Sequence, residues 1–258
     1  GYKENDKGLT IDVKTYSLGD ETIVRCKKLK GFVREGGDGF KARTNSGYGN
    51  KKNKYKCIST INNGVDVGRI FNASPDKELI TLKENRKAIL MVAGFRDAKD
   101  QDTIVKALSS LDKNKFEIWF AGIGIRMEKI QQLATSLGVD KRVRFLGLRS
   151  DIPKVLKAAD IIVMSSHWEG LSLSNVEGMS AHKPFIASDV NGLREVTKGY
   201  GILFPHEDAK TLANEIEQLV KNKEYYDEIA DRCYNRALEF DISKMVNGYA
   251  DIYRNLLK

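Results

Sequence analysis

Cysteine and histidine are scarce in this sequence, and long apolar runs are missing. Each of the two residue types occurs three times in 258 residues, at scattered positions that match no metal-site or disulfide spacing. No apolar run approaches the roughly 18 residues of a membrane-spanning helix, and the first residues resemble no secretory signal. We therefore expect a protein of a reducing compartment, the cytoplasm, without disulfide bonds or a metal site. The six residues are Cys26, Cys57, Cys233, His167, His182 and His206.

Positive charge is concentrated in the first quarter of the chain. Residues 1–60 hold 14 Lys or Arg against 7 Asp or Glu, whereas residues 61–258 hold 29 against 28. Such an excess suits solvated loops, an anionic membrane surface or an acidic acceptor. No nucleic-acid-binding motif accompanies the charge, so nucleic acid is not an expected partner. Peripheral membrane contact through this segment stays open as one interpretation.

Short apolar runs alternate with amphipathic stretches from residue 88 onward. The runs of strand length are 88–95, 116–121, 143–146, 161–164, 185–187 and 201–204. Helical periodicity fills most of the gaps between them and continues to a last helix near the end of the chain. This alternation with short connections predicts right-handed βαβ units and a doubly wound parallel sheet of the Rossmann-like α/β class.

One unit of this pattern carries two glutamates. Glu169 follows the run 161–164, in the loop at the carboxyl end of a predicted strand, and Glu177 falls in the first turns of the next helix. In open α/β sheets that edge binds ligands, and a helix N-terminus suits a phosphate. Two carboxylates beside a phosphate site suit a ligand that also carries hydroxyl groups, as ribose and a sugar do.

The residues around these glutamates resemble the Glu-x7-Glu signature of retaining glycosyltransferases with the two-domain GT-B fold, family 4 in particular. The segment 62–66, Asn-Asn-Gly-Val-Asp, followed by Phe71, resembles that family's exit from its N-terminal domain. The resemblance covers about residues 55–258 and implies the C-terminal, donor-binding half of the fold. The matching motif residues are Glu169-Gly170-Leu171, Glu177-Gly178-Met179-Ser180, Lys183-Pro184 and Gly192-Leu193-Arg194-Glu195.

The resemblance implies a role for each part of the motif. Glu177 would accept hydrogen bonds from the ribose hydroxyls of a nucleoside diphosphate sugar. Glu169, the candidate catalytic residue, would position the hydroxyls of the transferred sugar instead of acting as a nucleophile. The backbone amides implied at the β-phosphate and the sugar are those of Gly170, Leu171, Ser172 and Leu173.

The loops after the first three predicted strands supply the other candidates for donor binding. The family holds its diphosphate with an Arg and a Lys after the first strand. Lys99 matches the Lys, Gly94 stands at the Arg position, and Arg96 is the candidate substitute. The glycines of Gly122-Ile123-Gly124 are interpreted as structural turn residues, in a loop that borders the donor in the family. The remaining candidates near the donor are Gly122, Leu148 and Arg149.

Asp100-Gln101-Asp102 has the Asp-x-Asp form that holds a metal ion in the other glycosyltransferase architecture, GT-A. Because the segment opens a predicted helix, capping is the favoured interpretation. We then expect no metal and no other cofactor, with Lys99, Arg96 and a helix N-terminus neutralising the diphosphate. Packing or surface positions are the favoured interpretation of His167 and Trp168.

The predicted organisation has three parts: a basic N-terminal segment with the linker (1–72), a donor-binding domain (73–241) and a final crossover helix (242–258). Residues 31–53, rich in Gly, Lys, Asn and Ser, are predicted to form loop. Residues 1–57 look short for the family's acceptor domain, so we expect a remnant or divergent one. We also expect the apolar stripe of the final helix to be partly exposed or covered by residues 1–57.

The predicted function is transfer of a hexose-type sugar, with retention, from a nucleoside diphosphate sugar to a hydroxyl of a glycan or lipid-linked glycan. A rival from another class is a nucleotide-sugar-binding module without catalysis of its own, its acceptor domain missing. A dehydrogenase-type Rossmann protein is disfavoured, because Met127 stands where that fingerprint needs glycine and because of the glutamate pair.

Overall fold

The chain forms two compact units in a computed structural model that describes residues 13–18, 21–26, 31–35 and 57–256. The smaller unit comprises residues 1–64 and 242–258, and the larger unit comprises residues 65–241. The segment 65–72, which the sequence analysis grouped with the N-terminal part, lies in the larger unit.

The smaller unit contains a four-stranded sheet in the order β1-β2-β3-β4. Neighbours pair antiparallel up to β3, and β3 pairs parallel with β4. The loop prediction for residues 31–53 is wrong for its first five residues, because pairing on both sides makes them strand β3 in spite of their composition. Residues 36–53 lie outside the described residues. The strands are β1 (Val13–Leu18), β2 (Glu21–Cys26), β3 (Gly31–Glu35) and β4 (Cys57–Ile61).

The larger unit is built on a six-stranded sheet in the order β10-β9-β8-β5-β6-β7, and every neighbouring pair is parallel. The predicted Rossmann-like parallel sheet is confirmed. The chain runs outward from β5 to β7, crosses to β8 and runs the other way to β10, so β5 and β8 flank the topological switch point. The strands are β5 (Lys87–Val92), β6 (Phe116–Ala121), β7 (Val143–Gly147), β8 (Ile161–Met164), β9 (Phe185–Ser188) and β10 (Ile202–Phe204).

Nine helices accompany the sheet in the described part of this unit. They are α1 (Val67–Phe71), α2 (Lys77–Lys83), α3 (Gln101–Ser110), α4 (Met127–Ser136), α5 (Ile152–Ala158), α6 (Leu173–Ser180), α7 (Arg194–Thr197), α8 (Ala209–Lys221) and α9 (Lys223–Ala237). Helix α3 packs against α4 and α8, whereas α6 packs against α1 and α9. Because the strand order reverses at the switch point, right-handed crossovers place α3 and α4 on one face of the sheet and α6 on the other, whereas α8, which follows the last strand, packs on the α3 side. The short helices α1, α2 and α7 carry too little apolar periodicity to be predicted from the sequence.

The core lies between the sheet and its helices. All six residues of β6 are buried, as expected for a parallel strand covered on both faces. The rings of Phe95, Phe120 and Phe145 lie 5.6–5.9 Å apart and fill the carboxyl side of the core beneath the loops after β5, β6 and β7.

The last helix, α10 (Ile242–Leu256), belongs to the smaller unit and packs on β4. A Cβ placed on Gly248 would lie 3.4 Å from the Ile61 side chain, at ordinary van der Waals distance, so Gly248 faces Ile61 of β4. Val246 and Tyr253 are exposed, which confirms that the apolar stripe of this helix is partly exposed. None of the described helices is long and apolar enough to cross a bilayer.

Candidate functional site

The loops after β5 and β8 meet at the switch point of the sheet. The amide of His167 donates to the carbonyl of Ala98 at 2.8 Å, and the Ser165 hydroxyl donates to the carbonyl of Asp100 at 2.7 Å. These bonds hold the two loops side by side. Candidate residues that are 70 positions apart in sequence, Lys99 and Glu169, therefore come into contact.

Glu169 is oriented by two donors on one of its oxygens. Oε1 lies 2.5 Å from Lys99 Nζ and accepts from the Ser166 hydroxyl at 2.6 Å. The side chain is only 6% exposed, and Oε2 accepts no hydrogen bond from the described residues. The carboxylate is thus held in place with one oxygen available to a ligand. Ser166 was not singled out by sequence reasoning, although its place three residues before the glutamate was the available signal.

The Gly-x-x-Glu part of the motif supports the loop that carries Glu169. A Cβ on Gly192 would lie 2.3 Å from the Glu169 carbonyl oxygen and 2.2 Å from that of Gly170, and its φ is +87°, so only glycine fits there. The Gly192 amide donates to the Glu195 carboxylate at 2.6 Å, which closes this turn. The two motif segments, whose glutamates Glu169 and Glu195 are 26 positions apart in sequence, therefore form one packed structure.

The N-terminus of α6 presents free donors. Its N-cap, Ser172, has extended backbone and makes no side-chain capping bond. The amides of the four candidate residues donate to none of the described residues. Unpaired amides at a helix start, with the helix dipole behind them, attract an anion. The four residues are Gly170, Leu171, Ser172 and Leu173.

Glu177 lies one turn further along α6, half-buried, and no described residue donates a hydrogen bond to its carboxylate. Burial raises the pKa of Glu177, and the positive charge of Arg69 offsets only part of that effect. A buried carboxylate without donors is costly in an isolated protein. A ligand with two adjacent hydroxyl groups would supply the missing donors.

The loop after β5 carries the candidate cations. Lys99 ends a short 3-10 turn and reaches Glu169, as described above. Arg96 is exposed, and its guanidinium has no ionic partner among the described residues. A Cβ on Gly94 would lie 3.3 Å from the carbonyl oxygen of Ile123, in the next loop. This loop therefore carries two cations: Lys99, which is paired with Glu169, and Arg96, which is exposed.

Structural reasons account for the glycines after β6. A Cβ on Gly122 would lie 2.1 Å from the Ala93 carbonyl oxygen, and one on Gly124 would lie 2.3 Å from that of Phe95. Gly122 also has a φ of +151°. Both positions exclude any side chain, which agrees with the interpretation as structural turn glycines.

The loop after β7 presents an exposed apolar side chain beside an anchored charge. Leu148 is 78% exposed. The Arg149 guanidinium is bound to Asp76 at 2.6 Å and to Asp151 at 2.8 Å, so it ties this loop to the start of α2.

Asp100 caps α3, as predicted. Its carboxylate accepts from the Thr103 amide at 3.3 Å and from the Thr103 hydroxyl at 2.7 Å, and Asp102 pairs with Arg126 at 2.7 Å. The positions of the histidines in the sequence did not predict that two of them lie together beside Asp100. His167 and His206 lie in contact next to Asp100, because the loops after β5, β8 and β10 end at the same edge.

Comparison with known proteins gives a consistent result. The model of the family "Glycosyl transferases group 1" matches residues 74–237, which include most of the larger unit and all the candidate residues. The putative glycosyltransferase EpsD of Bacillus subtilis is 30% identical over 241 residues, covering 92% of this chain and 59% of that protein. An Escherichia coli protein named UDP-Gal:alpha-D-GlcNAc-diphosphoundecaprenol alpha-1,3-galactosyltransferase is 29% identical over 212 residues, covering 78% of this chain and 54% of its own.

Solved structures show the same fold. HepE from Anabaena, solved in complex with UDP, matches with a TM-score of 0.70 over 77% of this chain and 57% of its own, at 23% identity. The chain thus spans somewhat more than half the length of the curated relatives and of this structure.

Proposed function

This chain belongs to the glycosyl transferases group 1 family, and we propose that it takes part in retaining, family-4-type transfer of a hexose-type sugar. The donor is a nucleoside diphosphate sugar, and the acceptor is a hydroxyl of a glycan or lipid-linked glycan. The name of the E. coli relative, with its UDP-galactose donor and diphosphoundecaprenol acceptor, supports this choice. The UDP bound to HepE supports a donor nucleotide on a fold of this kind.

In the proposed reaction, the bond between the anomeric carbon and the β-phosphate oxygen breaks, and the acceptor oxygen bonds to that carbon on the same face. The acceptor proton passes to the leaving diphosphate. Lys99 and the free amides at the start of α6 stabilise the charge that develops on the diphosphate. Glu169 holds hydroxyls of the sugar through its available oxygen. This scheme requires no metal ion or other cofactor.

The single observation that carries the proposal is the state of Glu177. Its carboxylate is half-buried, has no donor among the described residues, and stands one turn beyond free amides at a helix start. Ribose and diphosphate are joined in one ligand that satisfies both groups at once. Each hydrogen bond to a charged acceptor contributes on the order of 1.5–3 kcal/mol.

Calorimetric titration tests the assignment. A thermal-shift panel of nucleoside diphosphates first selects the base, and the selected diphosphate and its sugar conjugate are then titrated. Glu177→Ala weakens both ligands alike, because both carry ribose. Glu169→Ala weakens the sugar conjugate much more than the free diphosphate. Equal losses of the two ligands in both variants would show that the roles are misassigned.

A nucleotide-sugar-binding module without catalysis of its own is the second candidate. The 258-residue chain spans 59% of EpsD and 54% of the E. coli relative. In GT-B enzymes the reaction takes place in a cleft whose closure excludes water, so we expect this polypeptide alone to bind donor and to transfer sugar very slowly. Measurement of donor turnover by the 258-residue chain separates the two candidates.

A further inference from the structure

We propose that Asp100, His167 and His206 bind a transition-metal dication of the zinc class, beside the donor site and outside the transfer chemistry. Nδ1 of His167 and Nε2 of His206 lie 2.6 Å apart. One ligand atom from each of the three residues lies within 4.8 Å of the other two, and the described residues hold no second group of this kind.

Three separate loops bring these ligands together. Asp100 follows β5, His167 follows β8 and His206 follows β10. The first two loops are joined by the bond from the His167 amide to Ala98, at 2.8 Å. The third is a turn closed by the Asp208 amide on the Pro205 carbonyl, at 3.0 Å. The backbone therefore places the ligands before any ion arrives, which lowers the cost of ordering them.

The carboxylate of Asp100 is already oriented. It is 3% exposed, and Thr103 donates its amide to one oxygen and its hydroxyl to the other. Outer hydrogen bonds of this sort fix metal-ligating carboxylates.

The donor set selects the class of metal. Two imidazoles and one carboxylate, with a position left for water, are typical of zinc, whereas magnesium and calcium prefer oxygen ligands alone. Two nitrogens on a tetrahedral zinc ion are roughly 3.3 Å apart for bonds of about 2.05 Å. A small outward shift of the exposed His206 ring achieves this separation. Glu207, whose Oε1 lies 3.7 Å from His167 Nδ1, is placed to supply a fourth ligand or a counter-charge.

Cobalt titration of the full chain tests the proposal without nucleotide, so that it stands or falls independently of the proposed function. After treatment with EDTA, one equivalent of Co²⁺ produces visible d–d absorption bands, and Zn²⁺ then abolishes them. His206→Gln loses the bands. Asp100→Asn, which retains a capping side chain, weakens cobalt binding about tenfold or more.

His182→Gln is the matched control. His182 is the one histidine of the chain outside the proposed site. It hydrogen-bonds to Asp231 and belongs to no three-ligand group among the described residues. Its variant keeps the bands at full strength. Cys233 is buried, and burial raises the pKa of its thiol to about 12, so it does not compete for the ion. A double Cys26→Ser, Cys57→Ser variant also keeps the bands.

Three results would overturn the proposal. One is the absence of cobalt bands in the native chain at micromolar protein with excess ion. The others are bands of equal strength in native and His206→Gln protein, and bands lost only in the double cysteine variant, since each of these two would place the ion elsewhere.

Discussion

Carboxylates at the amino ends of the parallel strands, here the amino edge of the sheet, have different hydrogen-bond partners from those at the carboxyl ends, the carboxyl edge. At the amino edge, Asp160 lies 2.7 Å from Lys83 Nζ and 3.2 Å from Lys87 Nζ, and it also accepts from the Ala88 amide at 2.9 Å. At the carboxyl edge, Glu177 accepts from no described residue. Burial acts to raise the pKa of both groups, but the bonds from Lys83 and Ala88 bring that of Asp160 below its ordinary value.

A second pair of carboxylates shows the same contrast. Glu117, near the start of β6, is fully buried and accepts from the Trp119 indole at 2.5 Å and from Arg144 at 2.9 Å. Its two oxygens are both engaged, since Arg144 also reaches the second one. Glu169, by contrast, accepts from the described residues on one oxygen only. The amino edge is therefore built for stability, and the carboxyl edge is pre-organised with hydrogen-bonding capacity left for a ligand.

Glu177→Ala tests the difference between the two edges with the largest expected effect. Loss of two charge-assisted hydrogen bonds to ribose weakens binding of the nucleoside diphosphate by about 3–4 kcal/mol, several hundred-fold. The stability of the chain is unchanged or slightly higher, because a buried carboxylate without donors is removed. Calorimetric titration and urea unfolding measure the two effects. A marked loss of stability would mean that this glutamate has a structural role like that of Asp160.

Asp160→Ala is the converse change. It leaves Lys83 partly buried without its partner, and we expect the unfolding free energy to fall by about 2–3 kcal/mol. Both tryptophans, Trp119 and Trp168, lie in the larger unit, so their fluorescence reports its unfolding in urea. Nucleotide affinity of the folded protein stays at the native level. A parallel loss of affinity would contradict the separation of the two edges.

Lys99→Ala removes the cation that we assign to the diphosphate. Affinity for the nucleoside diphosphate falls about tenfold, as expected for one hydrogen bond to a charged group. The matched variant Arg96→Ala has a smaller effect, because Arg96 is exposed and screened. Both titrations are repeated with EDTA, which leaves the affinities unchanged. A strict requirement for magnesium or manganese would revive a metal role for Asp100 and Asp102.

The pH dependence of nucleotide binding gives the smallest effect. The ionised form of Glu177 accepts from both hydroxyls, so affinity falls as the pH drops through its raised pKa, which lies above the ordinary 4.5. The sign for stability is opposite: relative to Glu177→Gln, the native chain loses stability as the pH rises through that pKa. Titrations at several pH values compare the two proteins. A flat profile for the native chain would indicate a Glu177 carboxylate that is ionised throughout.

The sequence by itself determined the parallel sheet and the position of the motif. Continuous apolar runs such as 161–164 indicate buried strands of a covered sheet, and their alternation with amphipathic helices leaves few topologies. The need for glycine at Gly122 depends on the Ala93 carbonyl in the loop after β5, whereas the capping role of Asp100 followed from local chemistry, since it depends on the first turn of its own helix. The strand over residues 31–35 did not, because its state depends on pairing with residues distant in sequence.

Tertiary structure alone decided which residues act together. Lys99 reaches Glu169, and His206 reaches His167, only because strands that are far apart in sequence end at one edge of the sheet. Hydrogen bonding decided the rest. Asp160 and Glu177 are both carboxylates beside buried elements, yet among the residues that the structure describes only Asp160 has hydrogen-bond donors around it. Whether a charge has partners depends on packing across the fold, and local sequence carries no record of it.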